Sequence, residues 1–306
     1  MLGPEHVGRR VVVRVRLADA EPGRRFSDVT GELIEIGAER LRLLPEAGTA
    51  VTVAADDVVA AKPVPPKPTP FSEILDLERK LAASWPAVEA EASGGWLLRY
   101  SRGFSRRSDS VLALSEPEAG LEAAVAHAVE WYRHRRARPL IAVPGGVGRR
   151  LDAALASRGW TAEAETAVLT KPIEPFCYDG EAAIGHQAGP EMLDQLGRGR
   201  PEAAAAVLGS GPDRAFAEIR RGGVLAARGR AAIEDGLAAV TGIGTLPEHR
   251  RRGLGGEVLA ALTAWAASAG AGRVAVQVET GNEAALSFYA AQGFKERYRY
   301  WYRGLP

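Results

Sequence analysis

Cysteine occurs once in this chain of 306 residues, at Cys177, so no intramolecular disulfide can form and packing must hold the fold. That lone thiol, set between Phe176 and Tyr178 with no activating neighbour, reads as a small buried apolar residue. Such usage fits a reducing cytoplasm. No group of His, Cys, Asp and Glu has the spacing of a metal site, and no metal is expected. Long apolar runs are missing too. Arg9 and Arg10 precede only three valines, Val11, Val12 and Val13, and the most apolar later stretch, 254–272, is broken by Glu257 and bounded by glycines. Neither a secretory leader nor a membrane span is expected, and the location expected is cytoplasmic. Charge of one sign is not in excess: 39 Lys and Arg face 38 Asp and Glu. That balance removes the broad basic field which nucleic acid or an anionic membrane would need, so neither is an expected partner.

What is there concentrates between residues 237 and 256. An apolar, strand-like segment over 237–246 meets a turn at Pro247. His249, Arg250, Arg251 and Arg252 follow, then a glycine-rich bend that opens a helix near Glu257. Arg250, Gly253 and Gly255 spell R-x-x-G-x-G. A helix N-terminus leaves backbone N–H groups unpaired, and its macrodipole favours an anion there. Gly253, Gly255 and Gly256 let phosphate oxygens approach the main chain, with Leu254 among them, while the three arginines supply charge that pairs with phosphate.

Downstream the pattern predicts a helix over 258–269, a strand over 273–278, a helix over 283–292 and a last strand over 294–303. Asn282, Ala285, Tyr289, Gly293 and Phe294 give N-x-x-A-x-x-x-Y-x-x-x-G-F. The two motifs in this order and at this separation resemble the GNAT superfamily of acyl-CoA-dependent N-acyltransferases. The resemblance implies an acetyl-CoA donor and a primary amine acceptor, either a small molecule or a protein lysine, attacking directly in a ternary complex. It implies that the segment holding Ile243, Gly244 and Thr245 splays at a bulge to grip the pantetheine arm, with Gly242 and Gly244 making the irregularity cheap. Arg250 to Gly256 would cradle the diphosphate, and Asn282 would cap its helix and touch the cofactor. Tyr289 sits where the family commonly protonates the leaving thiolate. Glu279, at the end of the strand over 273–278, is the first candidate for the base. A non-catalytic acyl-CoA sensor or interaction scaffold stays open as the alternative.

The rest of the chain divides by pattern. Residues 1–62 show short alternating strands over 10–17, 30–36, 40–44, 50–53 and 56–61, predicting a small all-β barrel of SH3 type whose role would be packing or a protein contact. Residues 63–70 are proline-rich and read as a stiff linker. Over 71–175 helix and strand alternate: helices over 71–83, 121–135 and 151–158, and strands over 96–100, 110–114, 139–143 and 167–171. Leu155, Gly159 and Trp160 stand where the C-terminal part has Tyr289, Gly293 and Phe294. No R-x-x-G-x-G precedes the helix over 121–135. The glycines over 145–148 follow the wrong strand for a phosphate cradle and read as a plain loop. This half therefore resembles a degenerate GNAT repeat that has lost acyl-CoA binding, ahead of a catalytic half over 176–306. The fold class expected is α/β, a tandem GNAT behind a small barrel, similar in layout to actinobacterial proteins of the mycothiol-synthase kind.

Overall fold

The computed structural model describes residues 2–17, 25–45, 48–65, 67–145, 148–197, 199–211 and 213–306. It contains two compact units, Met1–Pro68 and Thr69–Pro306. In the first, β1 (Arg10–Arg16), β2 (Phe26–Ile36), β3 (Arg40–Leu44), β4 (Val51–Ala54) and β5 (Val58–Pro63) form one antiparallel sheet in the order β4-β3-β2-β1-β5. The alternation does its expected work. Val11 and Val13 are buried with Leu33, Leu41, Leu43 and Val53, while Arg14 turns outward to pair with Asp28 at 2.8 Å. The proline-rich stretch begins inside the sheet: Lys62 and Pro63 pair with Val12 and Val11. β5 is an edge strand, where a residue without an N–H is tolerated. Glu46, Ala47 and Pro66 lie outside the described residues.

The second unit runs α1 (Phe71–Ser84), β6 (Glu89–Ser93), β7 (Trp96–Tyr100), β8 (Val111–Ala113), α2 (Leu121–His134), β9 (Leu140–Pro144), α3 (Arg149–Ala156) and β10 (Thr161–Pro172). It continues through β11 (Ala183–Gly185), α4 (Pro190–Gly197), α5 (Pro201–Gly209), β12 (Arg214–Arg221), β13 (Val224–Glu234) and β14 (Leu237–Thr245). It closes with α6 (Leu254–Ser268), β15 (Arg273–Glu279), α7 (Glu283–Ala291) and β16 (Lys295–Gly304). All its strands join one 11-stranded sheet, ordered β11-β12-β13-β14-β15-β10-β16-β9-β8-β7-β6.

That order shows an exchange. The run β7-β8-α2-β9-α3-β10 is repeated as β13-β14-α6-β15-α7-β16, with a parallel pair at the same place in each (β8 with β9, β14 with β15). Yet each run's last strand pairs with the other run's parallel strand: β10 with β15, and β16 with β9. β10 and β16 also pair with each other, antiparallel. The two repeats thus share one sheet through its middle.

Alternate residues of the central strands serve opposite faces. Val274, Val276 and Val278 pack with Val258 and Leu262 of α6, and with Tyr289 of α7. Ala275 turns the other way, onto the face where Ile74, Leu77 and Leu81 of α1 lie. Phe216 of β12 meets α4 and α5 on that same second face, together with Trp85 and Phe104.

The expected elements recur within a few residues, but periodicity did not resolve β6, nor the stretch over 176–236 that holds α4, α5, β11, β12 and β13. Cys177 corrects an expectation. It is exposed, not buried, because residues 173–182 run outside helix and strand and leave Phe176 45% exposed beside it.

A fragment of residues 176–306 should not fold alone, since removing β10 leaves β15 and β16 with open edges and uncovers Val276 and Tyr298. Circular dichroism should show no cooperative melt for it, whereas a native-like transition would contradict the shared-core description.

Candidate functional site

β14 and β15 run parallel but touch only briefly. Leu237, Ala238 and Ala239 pair with Arg273, Val274 and Ala275. Beyond them β14 continues to Thr245 and β15 to Glu279 without a further bridge, so the strands part like a V. On its other side β14 slips against β13. Arg228 faces Gly244 while Arg230 faces Thr241, leaving Gly242 and Ile243 opposite Gly229 alone. That is a β-bulge. Gly242 holds φ at +65°, which a side chain would strain, and its carbonyl accepts from Arg228 Nη1 at 2.8 Å.

After β14 the chain turns through Pro247–His249 and reaches Arg250, whose Nε donates to the Thr245 carbonyl at 3.3 Å. Arg251 (φ +62°) and Gly253 (φ +81°) both take left-handed backbone before α6 opens. The backbone N–H groups of residues 251–255 meet no acceptor among the described residues. Amides clustered around left-handed residues at a helix start form an anion-binding concavity, and the side chains of Arg251 and Arg252 stand exposed around it. A Cβ placed on Gly255 would lie 3.9 Å from Ile243, Thr245 and Phe288, ordinary contact distance. The loop and the bulge are therefore neighbours.

The V opens into a cleft of about 1070 Å³. Thr241, Gly242, Ile243 and Gly244 line one wall; Glu279, Asn282, Ala285 and Tyr289 line another. Thr245 and residues 250–256 flank this cleft without lining it. Asn282 caps α7, its side chain accepting from the Ala285 N–H at 3.1 Å. Tyr289 is held edge-on between Phe288 and Phe294, with ring centroids 5.0 and 5.3 Å away. Its hydroxyl has no hydrogen-bond partner among the described residues. Burial pushes this phenol up to about 12, so it stays a donor throughout the physiological range. Glu279 is half-exposed, and Arg106 donates to its Oε1 at 2.5 Å. Its Oε2 takes no hydrogen bond among the described residues.

Arg106 belongs to the half expected to be silent, and it does not come alone. Trp85, Phe104 and Arg107 from that half also line the cleft, on the face of α4 and α5. Their loop is stapled by Asp109: the N–H groups of Ser101 and Gly103 each donate to Oδ1 at 2.8 Å, and that of Ser105 to Oδ2 at 3.2 Å. Trp85 stacks on Phe104, with centroids 5.8 Å apart, and the guanidinium groups of Arg107 and Arg230 each lie 5.5 Å from its ring centroid. Arg230 is fully buried and donates to the carbonyls of Ser84, Leu208 and Ser210, which tie α1 to α5. None of this was signalled by periodicity. The only trace in the sequence is the density of Ser, Gly and Asp over 101–110, a turn composition without a motif.

At the matching place in the N-terminal half, β8 and β9 also diverge after a short parallel contact. There the loop before α2 carries Glu116 and Glu118 and no arginine, which suits phosphate badly. Trp131, Tyr132 and Trp160 pack with Ile141 and Val143 in that half's core. A Cβ on Gly145 would meet the Arg299 carbonyl at 2.5 Å, so this glycine serves close packing, while Gly146 and Val147 lie outside the described residues.

The raised ionisation of Tyr289 has a stability consequence. A phenol raised in the folded state favours folding fully below pH 10, and that contribution is lost as pH rises toward 12. Denaturant unfolding at pH 9 and 11 should show Tyr289→Phe losing about 1 kcal/mol less than the parent over that interval. Equal losses would contradict the burial of the hydroxyl.

Residues 71–303 match the protein family described as "Probable histone acetyltransferase Rv0428c C-terminal", and residues 5–62 match "Rv0428c N-terminal Sm-like domain". The chain is 29% identical over 250 residues to "Uncharacterized N-acetyltransferase YobR" of Bacillus subtilis (strain 168), covering 76% of this chain and 99% of that one. It is 32% identical over 139 residues to "Probable histone acetyltransferase Rv0428c" of Mycobacterium tuberculosis, 45% of this chain and 44% of that one. Among solved structures, a GCN5-related N-acetyltransferase from Kribbella flavida superposes with a TM-score of 0.56 at 19% identity, covering 77% of this chain and 95% of that one. A functionally unknown conserved protein from Staphylococcus epidermidis gives 0.53 at 9% identity, covering 72% and 94%. At those identities the likeness concerns the fold. No helix among the described residues is long and apolar enough to cross a membrane.

Proposed function

The chain belongs to the Rv0428c C-terminal acetyltransferase family, and from that premise we propose that it moves an acetyl group from acetyl-CoA to a primary amine in a ternary complex. The observation that carries this reading is the junction of three features at the V of β14 and β15: the bulge at Gly242, the amide concavity over 251–255, and the hydroxyl of Tyr289. The concavity with Arg250, Arg251 and Arg252 would hold the diphosphate. The edge of β14 that faces β15, unpaired at Ile243, Gly244 and Thr245, would hold the pantetheine arm and place the thioester in the cleft. Asn282, at the head of α7, borders the same space.

The acetyl donor supplies an activated thioester; the chain's residues manage two protons. An amine of lysine type needs about 4.6 kcal/mol to become neutral at pH 7. Glu279 borders the cleft and its Oε2 is the group proposed to take that proton, with Arg106 fixing the carboxylate's orientation. Tyr289, a phenol at every physiological pH, donates to the thiolate as it leaves. A small-molecule amine and a protein lysine both fit this chemistry, and one relative is named a probable histone acetyltransferase. Tyr289 among the cleft-lining residues favours an enzyme over a sensor, because binding alone has no use for a proton donor there.

Gly255 tests the cradle more cleanly than Gly253. Gly253 sits at φ +81°, where any side chain is strained, whereas a Cβ on Gly255 meets only ordinary contacts. Gly255→Asp should place a carboxylate in the anion slot and abolish CoA binding in calorimetry, with Gly255→Ala retaining more; a folded Asp variant of unchanged affinity would remove the loop from the site.

Tyr289→Phe should lower single-turnover acetyl transfer at least ~30-fold, with CoA affinity within a few-fold, since the hydroxyl acts as charge develops on sulfur. With the phenol near 12, activity dependent on Tyr289 is lost only as pH rises toward that value, so no limb from it should appear between pH 6 and 10. A Phe variant with wild-type single-turnover rates would leave Tyr289 a packing residue.

A further inference from the structure

We propose that the acceptor side of the cleft is built for a primary amine that also bears an anionic group, a carboxylate or a phosphate, gripped by Arg107. This rests on the acetyl-transfer reading and names its substrate class. The charge inventory is one-sided. Arg106, Arg107, Arg200 and Arg228 line the cleft against Glu279, and an inner recess sharing Arg107 with it adds Arg99 and Glu78. Most of these cations are already engaged. Arg106 holds Glu279, Arg228 holds the Gly242 carbonyl, and Arg99 donates to the backbone and hydroxyl of Ser110, both at 3.0 Å.

Arg200 makes no side-chain hydrogen bond or ion pair among the described residues, but it is exposed; Arg107 is the half-buried one. Its guanidinium makes no hydrogen bond or ion pair among the described residues, and its Nε is buried without a partner. The Trp85 face supports it, and the buried Glu78 carboxyl of the inner recess attracts it without a direct bond. A guanidinium presents a rigid fork of donors that matches carboxylate and phosphate, and leaving such a group half-buried and unpaired is costly. The fork is also pre-positioned, because Asp109 pins the loop through three backbone amides and the Ser105 hydroxyl accepts from the Ser108 N–H at the start of the turn that carries Arg106 and Arg107.

The anion it awaits is not the cofactor's diphosphate. Residues 251–255 open α6, which covers the face of Val274 and Val276, whereas Trp85 and Phe104 pack with α4 and α5 on the opposite face. A lysine-rich tail would bring positive charge into a cleft that already carries an excess of it. An amine with its own anion brings the missing charge, and Arg107 would set the distance from that anion to the attacking nitrogen.

The test uses the full chain with acetyl-CoA and pairs of acceptors differing in charge: glycine, β-alanine and 4-aminobutanoate against their amides, O-phosphoethanolamine against ethanolamine, and a lysine-rich histone-tail peptide. Wild-type kcat/KM should favour at least one anionic amine over its neutral partner by ~10-fold or more, with the carboxylate and phosphate arms deciding which anion is read. Arg107→Gln should raise KM for that acceptor at least ~10-fold and erase the preference, while the Kd for acetyl-CoA stays within two-fold. Arg107→Lys should restore part of it, which a general loss of folding would not allow. Calorimetry of the same amines into the CoA-saturated protein separates the two claims. Binding that depends on Arg107 without turnover of any acceptor would keep the anion site and overturn acetyl transfer. Turnover with neutral or lysine-rich acceptors preferred, or unaltered by Arg107→Gln, would overturn the anion site and keep acetyl transfer. Neither binding nor turnover of any amine in the set would overturn the anion site.

Discussion

β10 and β16 are each hydrogen-bonded along both edges, to one another and to the parallel strand of the opposite repeat. That exchange sets what the rest of the second unit can be. It joins two repeats into a single 11-stranded sheet, and it places the residues following β7 beside the open end of β14 and β15. Glu279 at the tip of β15 stands opposite Thr166 of β10 and reaches Arg106 across the join. A site built from one repeat alone would lack Trp85, Phe104, Arg106 and Arg107.

The two repeats have the same scaffold and opposite chemistry at the V. In the C-terminal repeat a glycine at φ +65° makes the bulge, and an arginine-rich loop with unpaired amides follows. In the N-terminal repeat the equivalent loop carries Glu116 and Glu118, and three large aromatics, Trp131, Tyr132 and Trp160, pack the core beside the divergence. Swapping a basic, glycine-rich helix start for an acidic one removes anion affinity while leaving the hydrophobic pattern of sheet and helix intact. The N-terminal repeat has not become inert. It lends the other repeat a pre-formed loop and an aromatic wall, with Arg230 buried beneath them to tie α1 to α5.

Much of this was legible because local rules spoke clearly. Val11, Val13, Leu41 and Leu43 fall on alternate, buried positions of their strands, so the first unit's strands follow directly from period two. Gly253 and Gly255 at a helix start, with Asn282 and Tyr289 downstream, marked the side of the candidate site proposed for the cofactor. The side proposed for the acceptor was illegible for a physical reason. Arg107 and Glu279 are 172 positions apart in number, and what unites their loops is the strand exchange, a long-range pairing with no local signature. The stretch holding α4 and α5 is rich in alanine and glycine, residues whose burial contrast is too weak to show a face. Cys177 misled because composition says what a residue type prefers, not that the chain around it leaves regular structure.

The asymmetry of the repeats is the central claim, and a calorimetric titration of acetyl-CoA into the full chain addresses it most directly. The account predicts saturation at one molecule per chain, with hydrogen exchange slowed over residues 243–256 and unchanged over 114–121. Saturation at two per chain, or protection centred on the loop before α2, would contradict it.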